Sequence, residues 1–309
     1  MKQKMKNLSR VLKRDFTNNF GLYLLLIPAV LFVIIFCYIP MGGVVLAFKE
    51  YDPNLGIFGS PFVGFIYFEQ FFSSYYVAEI LWNTFAISAL SLVIGFPLPI
   101  IFALIVNLFP DGKFKKIFLT ISYLPNFISV VVIVAMINGF FDYDAGFINI
   151  LRENLGMERV AYLLEPDRFY MLFVWTGVWQ SIGWSSLLYT STLSSVDPVL
   201  YEAAEMDGAT LWDKIVHIDF PSIKQTVSVC LIMSMGGILS VGFDKVYLMQ
   251  NNMNLPKSEV ISTYVYKVGL LNAEYGFGTA IGLFNSVVSF ILLAVSNFIS
   301  KKTSGESIW

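Results

Sequence analysis

Six long runs without a charged residue constrain the fold of this chain more than any other feature. Each run contains 19 or more residues between consecutive Asp, Glu, Lys or Arg positions. A membrane-spanning helix needs about 20 mostly apolar residues, and in lipid only helices and closed barrels satisfy the whole backbone. The sequence therefore predicts an all-α membrane protein with six transmembrane helices, in the runs 16–48, 80–110, 117–141, 169–196, 225–243 and 275–300.

The composition agrees with this class of protein. Only 14% of the 309 residues are charged, whereas soluble domains contain about 25%. The first run is too long for a cleaved signal peptide, so we expect it to remain as the first span. A net charge of −2 provides no basic footprint for nucleic acid. Cys37 and Cys230 both fall inside predicted spans, where we expect small apolar residues and no metal site.

The distribution of basic residues predicts the orientation. Thirteen Lys and Arg lie on one side of the predicted spans and seven on the other, which by the positive-inside rule places both termini in the cytoplasm. We therefore divide the chain into a basic cytoplasmic segment (1–20), a six-helix membrane domain (21–300) and a cytoplasmic tail (301–309). The basic cluster is expected to anchor the topology on lipid phosphates; it comprises Lys2, Lys4, Lys6, Arg10, Lys13 and Arg14.

The longest cytoplasmic connection, residues 197–224, reads as two short helices. Asp197 is a suitable N-cap and Pro198 suits the first helical position. Gly208 is expected to stop this first helix. A second helix is expected over about 210–218, and we expect Pro221 to end it before the fifth span.

An apolar stripe on the second helix predicts a docking surface. Two helices this short cannot bury such a stripe against each other, so it suits either a groove on another protein or the membrane surface. Membrane-surface helices carry Lys and Arg on their polar face, whereas this loop is mainly acidic. Docking on a protein is therefore favoured. The stripe consists of Leu211, Trp212, Ile215 and Ile218.

The loop resembles the EAA motif of permease subunits in binding-protein-dependent ABC importers. That motif reads EAA, three residues, G, nine residues, I-x-L-P, and this chain matches the spacing with Phe220 in place of the usual Leu. In this family the loop forms coupling helices that sit in a cleft of the ATPase subunit. The resemblance, with the apolar stripe, assigns ATPase coupling to Glu202, Ala203, Ala204, Asp207, Gly208, Ala209, Trp212, Ile218 and Pro221.

The resemblance extends over most of the chain. Within the family, the chain is similar to the carbohydrate branch, that is, to the maltose-type permeases. The segments 124–129, 146–149, 279–284 and 301–309 look closest to subunits for complex and plant-derived oligosaccharides. The resemblance implies the type I importer permease fold in a bacterial cell membrane. It also implies a second, different permease subunit, two ATPase subunits that use ATP and Mg²⁺, and an extracellular solute-binding lipoprotein. The chain itself contains no phosphate-binding loop and is not expected to bind a cofactor.

Aromatic and polar residues in the spans suit a sugar path, because pyranose rings pack on aromatic faces and their hydroxyls need hydrogen-bonding groups. The candidates are Tyr123, Asn126, Trp175, Trp179, Gln180, Trp184 and Ser234. In the maltose-type family, positions matching Asn126 and Ser234 line the sugar site. Trp175, Trp179 and Gln180 are predicted to share a helical face, although packing remains an alternative for each aromatic.

The charge of the substrate stays open. The uncharged runs offer no cation for a carboxylate, which slightly favours neutral sugars, whereas external Lys and Arg could still contribute at the outer mouth. Asp244 and Lys245 are interpreted as the outer boundary of the fifth span, with an ion pair or a docking contact as the alternatives. The alternatives are a secondary transporter of a small polar solute, an intramembrane enzyme, and a receptor or scaffold. A secondary transporter would place ionisable residues within the spans. An intramembrane enzyme would need an H-E-x-x-H or G-x-S-x-G motif, and the sequence contains neither.

Overall fold

The computed structural model describes residues 18–304, most of which form helices joined by short loops. The basic cluster of residues 2–14 and residues 305–309 lie outside the described part. The principal helices are α1 Phe20–Phe48, α2 Val77–Asn107, α3 Lys113–Phe127, α4 Val130–Phe141, α5 Phe169–Leu193, α6 Pro198–Met206, α7 Leu211–Gly236, α8 Phe243–Met249 and α9 Tyr275–Ser304. Shorter helices in the connections are Gly56–Gly59, Ile66–Ser73, Phe147–Asn154, Pro166–Arg168, Leu255–Ser258, Ile261–Val265 and Tyr266–Leu271.

Within residues 18–304, four helices are long and apolar enough to cross a membrane: α1, α2, α7 and α9. A fifth candidate arises if the bent pair α3 and α4 counts as one span. Helix α5 has 25 residues and no charge, but it does not reach the same hydropathy because Trp, Gln, Ser and Thr interrupt its apolar residues. The structure therefore supports an all-α membrane protein, and the count of six spans stays a prediction.

The third predicted span is not straight. Helices α3 and α4 meet at 97°, where the sequence analysis expected one continuous helix. Residues Leu124–Phe127 form a 3₁₀ turn, and Ile128 and Ser129 are extended. Pro125 lacks the N–H of a regular helix, while Ser129 caps the new helix by accepting a hydrogen bond from the Val132 N–H at 3.4 Å.

The fifth span differs from the prediction at both ends. Helix α7 starts at Leu211, within the loop of residues 197–224, and continues through Pro221 to Gly236. The expectation that Pro221 ends a short helix was therefore wrong. A π-helical turn over Ile215–Asp219 precedes Pro221. Proline has no N–H to donate to the regular helical hydrogen bonds, and a π-helical turn changes these bonds locally. The helix ends at Gly236, so residues 237–243 do not belong to it.

Helix α5 occupies the centre of the helical packing. The N-terminal half of α5 packs with α2, α4 and α8 in one apolar cluster. The C-terminal end of α5 packs with α2 and α7 in another. A Cβ atom on Gly183 would lie 2.0 Å from the backbone oxygen of Ser122. Glycine is thus required where α5 crosses α3. Helix α1 contrasts with α5, because no residue of Phe20–Val33 is buried.

Candidate coupling loop and substrate cavity

The first helix of the loop 197–224 has the predicted ends. The Asp197 carboxylate accepts a hydrogen bond from the Val199 N–H at 3.0 Å, and Pro198 occupies the first turn. Gly208 has a φ of 74°, in the left-handed region that favours glycine. The Ala209 N–H then donates to the Ala204 carbonyl at 2.9 Å. These contacts confirm the predicted start and stop of α6.

The second helix is capped and tied to the first. The Thr210 N–H donates to the Asp213 carboxylate at 2.9 Å, and the Thr210 hydroxyl accepts from the Asp213 N–H at 3.3 Å. The ammonium of Lys214 lies 2.6 Å from the Glu205 carboxylate, which joins α7 to α6. A reciprocal cap and a bridge between the helices hold the loop in one conformation.

The loop exposes several large apolar side chains. The side chain of Trp212 is 70% exposed and that of Met206, which the sequence analysis did not single out, is 88% exposed. Leu211 lies between them in the chain and is also exposed. Of the residues predicted for ATPase coupling, Ala204, Ala209 and Ile218 are half-buried. The exposed ones are Glu202, Ala203, Asp207, Gly208, Trp212 and Pro221.

A buried carboxylate connects the loop to the spans. Asp219, the variable position of the Ile-x-Phe-Pro segment, is fully buried. Its Oδ1 accepts hydrogen bonds from the Tyr201 hydroxyl of α6 at 2.5 Å and from the Asn107 amide at the end of α2 at 3.1 Å. Burial and the bond to Asp219 raise the pKa of Tyr201 to about 12. We call these three residues the Asp219 cluster; sequence reasoning missed it because its partners are distant in the chain.

A cavity of about 610 Å³ lies between α2, α5, α7 and the start of α8. This volume is within the range typical of small-molecule sites. Gly177, Ser181 and Ser185 of α5 recur every four residues and therefore share one helical face toward the cavity. The full set of hydroxyl and amide side chains along its wall is Ser88, Ser91, Gln180, Ser181, Ser185, Tyr189, Ser234 and Ser240.

The predicted path residues divide between two surfaces. Gln180 and Ser234 line the cavity. Trp175 and Trp179 instead line an apolar groove of about 420 Å³ between α4 and α5, so the expectation that they share a face with Gln180 was wrong. The four-residue spacing of the two Trp places them on the same face of α5. Gln180 follows Trp179 directly, so its side chain is turned by about 100° around the helix axis.

Three other predicted path residues lie outside the cavity wall. Tyr123 is at the end of the regular part of α3, and Asn126 is in the 3₁₀ turn that follows. The ring of Trp184 packs on Phe127 with centroids 5.5 Å apart. None of the three residues lines the cavity, although the bent segment itself packs against α5 through Ser122 and Phe127.

Lys245 is the cavity residue that the sequence analysis misread. It was interpreted as a span boundary, whereas its side chain is only 7% exposed and lines the cavity. The Nζ atom donates to the Phe173 carbonyl at 2.9 Å and lies 4.7 Å from the centroid of the Phe173 ring. Burial lowers the pKa of this ammonium to about 8. Helix α8 lies beyond the end of α7 and turns the lysine inward.

A family profile matches residues 95–305 of the chain. The family is described as the binding-protein-dependent transport system inner membrane component. The matched range contains α5, the loop, α7 and α8, and therefore the loop and most of the cavity wall, whereas Ser88 and Ser91 precede it. The chain belongs to this family. Its resemblance to ABC importer permeases is confirmed, and the permease is a non-catalytic, multi-pass component of the cytoplasmic membrane.

Individual relatives match the permease over almost its whole length. It is 40% identical to protein LplB of Bacillus subtilis (strain 168), with 93% of this chain and 91% of LplB covered. It is 38% identical to the polygalacturonan/rhamnogalacturonan transport system permease protein YteP of the same strain, with 93% and 90% covered. A crystal structure of a bacterial ABC transporter involved in the import of the acidic polysaccharide alginate matches with a TM-score of 0.88 and 35% identity, covering 94% of this chain and 99% of that chain.

Proposed function

We propose that this chain is one of two permease subunits in an ATP-driven importer of oligosaccharides. One observation carries the proposal: a single helix, α7, exposes Trp212 in the cytoplasmic loop and presents Ser234 to the cavity. Their separation of 22 positions corresponds to about 33 Å of helix. A movement imposed on the loop would therefore reach the cavity wall directly.

The exposed surface of the loop supports docking on an ATPase subunit. Met206, Leu211 and Trp212 form an apolar patch beside acidic side chains, and apolar anchors with a polar rim are typical of protein interfaces. ATP and Mg²⁺ would bind to two such ATPase subunits and not to this chain. The Asp219 cluster would transmit the closure of the ATPases, because it fixes α6, α7 and α2 to one another.

The remaining partners follow from the spans and the relatives. Helix α1 exposes apolar residues along its length, which suits contact with lipid and with a second permease subunit, for which we propose a different chain. A related alginate transporter was solved with a pentasaccharide-bound periplasmic protein. We propose that an extracellular solute-binding lipoprotein likewise delivers oligosaccharide to this permease.

We further propose six spans with both termini in the cytoplasm. The spans would be α1, α2, the bent pair α3 and α4, α5, α7 and α9. The excess of Lys and Arg on the side of the coupling loop supports this orientation. A secondary transporter is not favoured, since the family is one of binding-protein-dependent permeases.

The test is uptake of labelled oligosaccharides by a strain deleted for this chain and by the same strain complemented with it. We expect uptake of at least one class to disappear on deletion and to return on complementation. Purification of the tagged permease should recover its ATPase subunits. Equal uptake with and without the chain, for every oligosaccharide offered, would refute the proposal.

A further inference from the structure

One lysine supplies the single charge on the wall of the cavity. Among the described residues that line it, none is Asp or Glu, and Lys245 is the one charged side chain. In the described part of the chain, no carboxylate lies within ion-pair distance of its Nζ atom. A buried charge without an opposite charge is unfavourable, so the cavity is electrostatically suited to an anion.

The ammonium is only partly satisfied by the protein. It has three N–H donors, and the Phe173 carbonyl accepts one of them at 2.9 Å. The face of the Phe173 ring, with its centroid 4.7 Å from Nζ, stabilises the positive charge by a cation–π interaction but does not neutralise it. Donor capacity for a ligand therefore remains on the cavity wall.

The surroundings of the ammonium leave space for a sugar. Gly177 lies next to it, and a Cβ atom added there would be 3.4 Å from Nζ. The absence of a side chain at this position keeps one side of the ammonium open. Ser181, one turn further along α5, and Ser240, before α8, provide hydroxyl groups on the same wall. These groups can hydrogen-bond to sugar hydroxyls.

We propose that Lys245 binds the carboxylate of a uronate residue, so that the importer carries acidic oligosaccharides. The inference rests on the proposed function and specifies its substrate class. The earlier preference for neutral sugars depended on the absence of Lys and Arg from the uncharged runs. The structure brings a lysine from outside those runs into the cavity.

The first test compares Lys245→Met, which removes the charge at similar length, with Lys245→Arg, which keeps it. The matched control is Lys257→Met, because Lys257 also lies over an aromatic ring, 5.8 Å from the centroid of Tyr170, but is not on the cavity wall. Each variant complements the deletion strain. The substrates are labelled uronate tri- to pentasaccharides and the same oligosaccharides with their carboxyl groups reduced to alcohols.

We expect Lys245→Met to lower uronate uptake about 10- to 100-fold, the loss typical of a hydrogen bond to a charged group. Lys245→Arg and Lys257→Met should retain most uptake, at equal amounts of permease in the membrane. Unchanged uronate uptake by Lys245→Met would overturn the inference. An equal loss of both substrate classes would also overturn it, as would a wild-type importer restricted to neutral sugars. Absence of all oligosaccharide uptake by the wild type would instead refute the proposed function itself.

A second pair of variants leaves the lysine in place. Gly177→Asp would supply a carboxylate beside Nζ and pair with the ammonium inside the protein. Gly177→Asn has the same size without the charge. We expect the Asp variant to lose uronate uptake about tenfold relative to the Asn variant, because the internal carboxylate competes with the substrate. Equal uptake by the two variants at equal membrane levels would count decisively against binding of uronate by Lys245.

Discussion

The loop of residues 197–224, for which we propose ATPase coupling, and the cavity share helix α7 but are assembled in different ways. The loop is built from neighbouring residues: Asp197 caps α6, Gly208 ends it, and Thr210 caps α7. The cavity wall combines residues as distant as Ser88 and Lys245. A local motif can therefore be recognised in the sequence, whereas a wall assembled from four helices depends on how each helix is rotated and where it ends.

The largest expected effect is on the loop, in the variant Gly208→Pro. Proline fixes φ near −65°, whereas Gly208 has a φ of 74° and its N–H donates to the Glu205 carbonyl at 3.1 Å. We expect uptake to fall more than a hundredfold and the ATPase to be lost on purification. The control is Gly156→Pro, since Gly156 has a φ of 73° with no atom crowding it, outside the loop. ATPase recovery that is equal in the two variants would contradict the coupling assignment.

Trp212→Ala tests whether the exposed patch is an interface. Exposed Trp residues at interfaces commonly contribute 2 kcal/mol or more, about 30-fold in affinity. We expect that loss in a binding titration of the permease complex with purified ATPase. Trp82, which is 59% exposed on α2, provides the control substitution Trp82→Ala and should leave the affinity unchanged. Similar affinities for both variants would remove the patch from the interface.

The Asp219 cluster joins the two regions, and Tyr201→Phe tests that connection. Removing the hydroxyl takes one hydrogen bond from a buried carboxylate, at a cost of about 1–3 kcal/mol. We expect a lower unfolding temperature for the detergent-solubilised complex and uptake reduced several-fold. Tyr75→Phe alters a tyrosine that is 90% exposed and should change neither. A stability equal to that of the wild type would show that the connection is unimportant.

The same bond has a defined pH dependence. The pKa of Tyr201 is raised from 10.0 to about 12 in the folded protein. A raised pKa means that its contribution to stability is complete below about pH 10 and is lost as the pH rises toward 12. The stability difference between wild type and Tyr201→Phe should therefore be constant from pH 7 to 9 and shrink above pH 10.

The smallest expected effect is on the cavity side, in Ser234→Ala. A single neutral hydrogen bond to a sugar contributes about 1 kcal/mol, so uptake should fall about fivefold. The Ser234 hydroxyl also donates to the carbonyl four residues earlier, and Ser286 on α9 does the same away from the cavity. Ser286→Ala is thus a matched control that should retain full uptake. Equal uptake by both variants would place Ser234 outside the sugar path.

The sequence by itself determined the membrane class, the family and the secondary structure of α6. Absence of charge over long runs leaves few solutions in lipid, and the caps at Asp197 and Gly208 act over a few residues. Only the tertiary structure decided the bend at Pro125, the continuation of α7 through Pro221 and the burial of Asp219 and Lys245. The physical reason is that a charged residue near the end of a helix looks the same in sequence whether its side chain points to water or inward. The packing of α8 against α4 and the contact of the Lys245 ammonium with Phe173 of α5 select the inward direction.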